Sequence, residues 1–170
     1  MKKLLFTLML MFTSAIVLNA QSLTGKQWYT NLTDEEGTDI IMAFEFDEDG
    51  TCILLAGSGF EMKEDGVPID IVGSVAVPGT YSLRGKDLKM NFEKGMAEVE
   101  LDYEIKGMDA KTKAMLDKEI GSEIEGLRNE FKNDMLDGLP DMLNLKIVSL
   151  KSSKLVVEDE DGEEITFYTE

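Results

Sequence analysis

Val99, Leu101, Tyr103 and Ile105 alternate without a break against Glu98, Glu100, Asp102 and Glu104. A period of two puts every apolar side chain on one face of an extended strand and every acid on the other. The same rhythm recurs in shorter runs. Ile40, Met42, Phe44 and Phe46 share one face, then Asp47-Glu48-Asp49-Gly50 turns the chain and Thr51 to Ala56 returns it. Thr80 to Leu83, Arg84-Gly85-Lys86-Asp87 and Leu88 to Phe92 make a second hairpin, with Leu88, Met90 and Phe92 on one side. A third, Lys154 to Glu158 and Glu163 to Thr169, turns at Asp161-Gly162. Asp-Gly supplies the positive φ that tight hairpin turns require. Further extended runs are expected from Trp28 to Leu32, Phe60 to Lys63, Val67 to Val77 and Leu145 to Leu150. Gly57-Ser58-Gly59 is expected to break the strand before it, and Pro78-Gly79 to open a new unit.

One segment changes period. Leu116, Ile120, Ile124, Leu127, Phe131 and Met135 recur every three or four residues, the stripe of an amphipathic helix. Asp109 is placed to cap its start, and Gly138 and Pro140 end it, giving a helix over about 109–138. The expected fold is therefore mostly β, an antiparallel meander of about eight to ten strands with one long helix inserted before the last strands. Such a meander closes into a barrel to remove its exposed edges. The helix is expected to pack statically on the wall or over a mouth.

Residues 1–20 read as a secretory signal peptide: Lys2 and Lys3, then an apolar run from Leu4 to Leu18, then Ala20 before Gln21. Residues 21–170 form a single domain. The chain is expected to be exported to the periplasm or beyond, with no transmembrane span once the leader is cleaved. Its one cysteine, Cys52, lies in an apolar run and not at the leader junction, so no lipid anchor is expected.

Charge and composition exclude several functions. Against 17 Lys and Arg stand 34 Asp and Glu, and losing Lys2 and Lys3 moves the formal charge from −17 to −19. A nucleic-acid backbone is a poor partner for such a surface. The chain has no His, which removes imidazole metal sites and Ser-His or Cys-His catalysis. One Cys rules out an internal disulfide and a Cys-rich metal site. No nucleophile elbow, phosphate loop or dinucleotide fingerprint occurs. Neither acidic turn fits a calcium loop: with Gly50 sixth, position one is Glu45 and position twelve Ala56; with Gly162 sixth, position one is Val157. No metal, no cofactor and no catalytic residue is expected, and the chain is read as not an enzyme.

Leu23-Thr24-Gly25-Lys26-Gln27-Trp28 resembles the first-strand signature of lipocalins and lipocalin-like proteins. Phe44-Glu45-Phe46 followed by Asp49-Gly50-Thr51-Cys52, Pro78-Gly79-Thr80-Tyr81-Ser82-Leu83 followed by Leu88, and Leu155-Val156-Val157 followed by Asp161-Gly162 resemble hairpins of bacterial lipocalin-like, calycin-type domains. Two residues separate Gly25 from Trp28 where the signature has one. Neither Arg84 nor Arg128, the two arginines, matches the basic residue that caps the tryptophan, and about three strands follow the helix. The resemblance is thus to lipocalin-like domains and not to classical lipocalins. It implies a secreted binding or accessory protein, with Trp28 plugging one barrel end.

The in-facing positions on central strands give the candidate ligand-binding set: Met42, Phe44, Leu54, Leu88, Met90, Leu101 and Tyr103, the last offering a hydroxyl. The expected function is a monomeric binding protein that holds a small apolar or amphipathic molecule in the barrel. The alternative is a protein-interaction module, an inhibitor or envelope accessory factor, with a filled barrel and an acidic surface for a basic partner.

Overall fold

A computed structural model describes residues 23–33, 37–64, 67–105 and 110–169. Residues 1–20, expected to be a leader, and Asp109, expected to cap the helix, lie outside the described residues. Nine antiparallel strands and one helix follow in order: β1 (Gln27–Thr33), β2 (Asp39–Phe46), β3 (Thr51–Glu64), β4 (Val67–Arg84), β5 (Asp87–Phe92), β6 (Glu98–Ile105), α1 (Ala110–Asp137), β7 (Met142–Leu150), β8 (Lys154–Glu158) and β9 (Glu164–Tyr168). A single 3-10 turn, Lys94–Met96, joins β5 to β6. Eight strands close a barrel in the order β1-β2-β3-β4-β5-β7-β8-β9, and Tyr29 opposite Tyr168 completes the ring. The fold is mostly β, with the helix before the last strands, as the sequence predicts.

β6 stands outside that ring. β4 is long enough to serve two partners on one edge: Gly79 to Arg84 pair with β5, while Ile69 to Ala76 pair with β6. Its other edge pairs with β3 along the whole length of β3. β2 stops at Ser58 of β3, so the rest of β3, the first half of β4 and β6 form a three-stranded arm beyond the barrel rim. α1 packs on this arm.

The expected interruptions at Gly57–Gly59 and Pro78-Gly79 are absent; β3 and β4 run straight through both. Pro78 is tolerated because it falls where the partner of β4 changes from β6 to β5. Its missing N–H lies in that gap, and its carbonyl accepts the Glu93 N–H at 2.9 Å. Gly57 marks a close approach of strands: a Cβ there would lie 3.1 Å from the Gly73 carbonyl oxygen.

Cross-strand register orders the interior into rows. The deepest is Trp28–Phe44–Leu54–Val77, none more than 1% exposed. Next comes Thr30–Met42–Ala56–Val75–Val99. The last, at the rim, is Leu32–Ile40–Ser58–Gly73–Leu101. The odd-numbered face of β4 is continuous from Ile69 and Ile71 in the arm to Val75 and Val77 in the barrel. One apolar surface therefore lines the barrel and carries the helix.

Candidate functional site

One barrel end is sealed. Trp28 is wholly buried and donates its indole N–H to the Leu23 carbonyl at 2.9 Å, so its polar atom is satisfied inside the plug. Phe44 meets Phe167 at 5.3 Å, Phe46 at 6.0 Å and Phe92 at 6.5 Å between ring centroids. Tyr81 meets Phe46 edge-on at 4.9 Å and donates its hydroxyl to the Asp47 carbonyl at 2.9 Å. Burial pushes the Tyr81 phenol up, and Cys52 and the turn acids add to it. Burial also pushes the Cys52 thiol up to about 11. A thiol so placed is an inert core group, not a nucleophile.

Beyond the opposite rim, α1 packs on the arm formed by β4 and β6. The Phe131 ring sits on Gly73; a Cβ there would lie 2.6 Å from its Cζ atom. Glycine at this rim position lets the ring lie flat on the strand, where any side chain would lift it. Ile124, Leu127 and Phe131 pack with Ile69, Ile71, Leu101 and Tyr103, while Met135, Leu136 and Leu139 reach the barrel's own cluster. Lys132 ties the helix to the strand turn by donating to the Ala97 carbonyl at 2.8 Å.

The seven candidate lining residues divide between these regions. Phe44, Leu54, Leu88 and Met90 lie together in the barrel interior, each at most 1% exposed, and Met42 packs partly buried against them. Leu101 and Tyr103 belong instead to the cluster beneath α1. Alternation on β6 identifies their face but not the partner it meets. Gly73 is absent from the sequence-based candidates; its one signal is that of a glycine within an otherwise Val- and Ile-rich run.

The described surface hollows are open and polar. One of about 370 Å³ lies over the β4–β5 hairpin, lined by Ser82, Arg84, Asp87 and Lys89. The turn acids are engaged by their own backbone. Asp49 accepts the Thr51 hydroxyl at 2.6 Å and its N–H at 2.9 Å, which holds the carboxyl below its ordinary value. Asp159 accepts the N–H groups of Asp161 at 3.0 Å and Glu163 at 2.8 Å. Among the described residues no helix is long and apolar enough to cross a membrane.

No protein-family model matches the chain, and no curated protein does. Among solved structures it is similar to a lipocalin-like protein from Bacteroides uniformis, at 18% identity and a TM-score of 0.43, over 86% of this chain and 97% of that one. By its own strand order this chain is a closed eight-stranded antiparallel barrel with a tryptophan buried at one end.

Proposed function

We propose that the chain is an exported, non-enzymatic binding protein whose partner docks on the outside of a filled barrel. Export is inferred from the leader-like sequence of residues 1–20. The reading rests on one observation: Phe44, Leu54, Leu88 and Met90, which would line a ligand cavity, are at most 1% exposed. A void able to admit water would leave their side chains accessible. Close packing of this kind matches a solid protein interior. An acidic surface then favours a basic protein as partner, by charge complementarity.

A small apolar ligand is the second reading, favoured at the rim. Met42 in the row below the rim, and Tyr103 and Met135 beside α1, are only half-buried, and methionine adapts its shape to what it meets. Native mass spectrometry of the protein purified gently from its own compartment separates the two. A clean apo mass, with no uptake of an apolar fluorescent probe, is expected. A stoichiometric small-molecule adduct would overturn the filled-barrel reading and give the ligand class.

A further inference from the structure

We propose that the outer edge of β6 is a docking strand for an extended segment of another protein, one that alternates basic and apolar residues. The proposal builds on the reading of an external partner and gives that partner a place. Among the described residues β6 pairs with β4 alone, through Glu98 opposite Ala76 to Ile105 opposite Ile69. In an antiparallel strand, alternate residues send their backbone N–H and C=O to opposite sides. Tyr103 donates its N–H to the Asp102 carboxylate at 2.8 Å, and the Ala97 carbonyl takes the Lys132 ammonium. Both bonds put the odd-numbered backbone groups on the edge away from β4. Val99 and Leu101 thus present a ladder to an incoming strand, which Asp102 would extend by swinging off Tyr103.

Side chains select which strand fits. Glu98, Glu100, Asp102 and Glu104 are all exposed on the outer face. Their neighbours across β4 are Ala76, Ser74, Val72 and Asp70, none of them cationic. An added strand with Lys or Arg on that face would supply the missing opposite charges at cross-strand positions. Its intervening residues would fall on the inner face beside Leu101 and Tyr103, where apolar side chains extend the cluster under α1. A second copy of this chain does not fit, because two β6 edges would set acids against acids. The recognition mode is strand addition, in which the backbone supplies affinity and alternate side chains supply specificity.

The test is fluorescence anisotropy of a labelled peptide of alternating Lys and Val against the purified protein, at low and moderate salt. Controls are a peptide of the same composition in two blocks, and the alternating peptide N-methylated at every second residue, which blocks one ladder edge. Binding by the alternating peptide is expected, with roughly tenfold loss for the block and for the edge-blocked peptide. The E98Q/E100Q/D102N/E104Q variant should lose about tenfold, whereas E160Q/D161N/E163Q/E164Q, which removes as many charges from the β8–β9 hairpin, should bind as the parent does. Equal binding of all three peptides, or equal loss in both variants, would reduce the interaction to bulk charge and overturn the proposal. The peptide comparison uses the unaltered protein, so it does not depend on a variant folding. A clean apo mass with no peptide binding sinks the edge alone; a small-molecule adduct sinks the filled barrel and leaves the edge standing.

Discussion

The barrel and the arm beyond its rim share one apolar face of β4 but are held differently. In the barrel, Phe44 is enclosed by three other phenylalanine rings and is 1% exposed. Under α1, Leu127, Phe131 and Tyr103 remain half-buried, and the sheet they rest on has three strands and open edges. Closure makes the difference, since a ring of strands buries its inner face from every side while an open sheet relies on what lies across it. The barrel is therefore the stable unit, and the arm a lower-stability element able to open without unfolding the rest.

The largest effect that would break this contrast is at Phe44. Phe44→Ala is expected to cost about 3–5 kcal/mol, measured by urea denaturation, because the enclosed site collapses poorly. Phe131→Ala should cost about half as much, since its ring is already partly in solvent. Hydrogen exchange should show amides of α1 and β6 opening before those of β1 and β2. Equal costs, or simultaneous exchange, would make arm and barrel one cooperative unit.

A pair of glycines on β4 sharpens the contrast. A Cβ at Gly79 would meet the Asn91 carbonyl oxygen of β5, a backbone atom fixed by the ladder. One at Gly73 would meet the end of the Phe131 side chain, which can swing away. Gly79→Ala is expected to cost about 3 kcal/mol and Gly73→Ala about 1 kcal/mol. In the Phe131→Ala background, Gly73→Ala should be close to neutral, and a double-mutant cycle reads that coupling directly. A neutral Gly79→Ala would mean that the barrel wall yields as easily as the arm.

These contrasts also explain what was legible in the sequence. Alternation gives the face of each strand, so Phe44, Leu54, Leu88 and Met90 read as inward-facing from the sequence alone. The helix could be read too, because its period differs from everything around it. What alternation cannot give is the partner. Nothing in the order of residues says that β4 shares one edge between β5 and β6, so alternation groups Leu101 and Tyr103 with the barrel although they lie under α1. For the same reason Pro78 and Gly57–Gly59 read as breaks. A proline tolerated in a ladder gap, and a glycine at a close approach of strands such as Gly57, are properties of the assembled sheet.

Alkaline pH probes the barrel through Cys52. The Cys52 thiol, 1% exposed, rises from an ordinary 9.0 to about 11. Its folded value is the higher one, so its contribution is fully present below 9.0 and is lost as pH rises towards 11. The loss amounts to about 2 kcal/mol, from the size of the shift. Tyr81 is raised as well and acts in the same direction at higher pH. Urea midpoints at pH 7 and in the alkaline range should fall for the parent and fall less for Cys52→Ala. No difference between the two would mean that the thiol ionises without opening the barrel.

The smallest effect is at the turn joining β2 to β3, where the barrel is most exposed. The Thr51 hydroxyl first, and its N–H second, hold the Asp49 carboxyl below its ordinary 3.8. Here the folded value is the lower one. The contribution is present above 3.8 and is lost as pH falls through the depressed folded value, the reverse of Cys52. Because Asp49 lies wholly at the surface, solvent screens most of it, and Asp49→Asn should leave the neutral-pH midpoint almost unchanged. Titration of the Asp49 carboxyl by NMR checks the direction: a midpoint below 3.8 that returns towards it in Thr51→Val is expected. Thr51→Val removes the hydroxyl and keeps the N–H, so a partial return would apportion the two bonds. No change would mean that the Thr51 N–H, and not its hydroxyl, holds the carboxyl down.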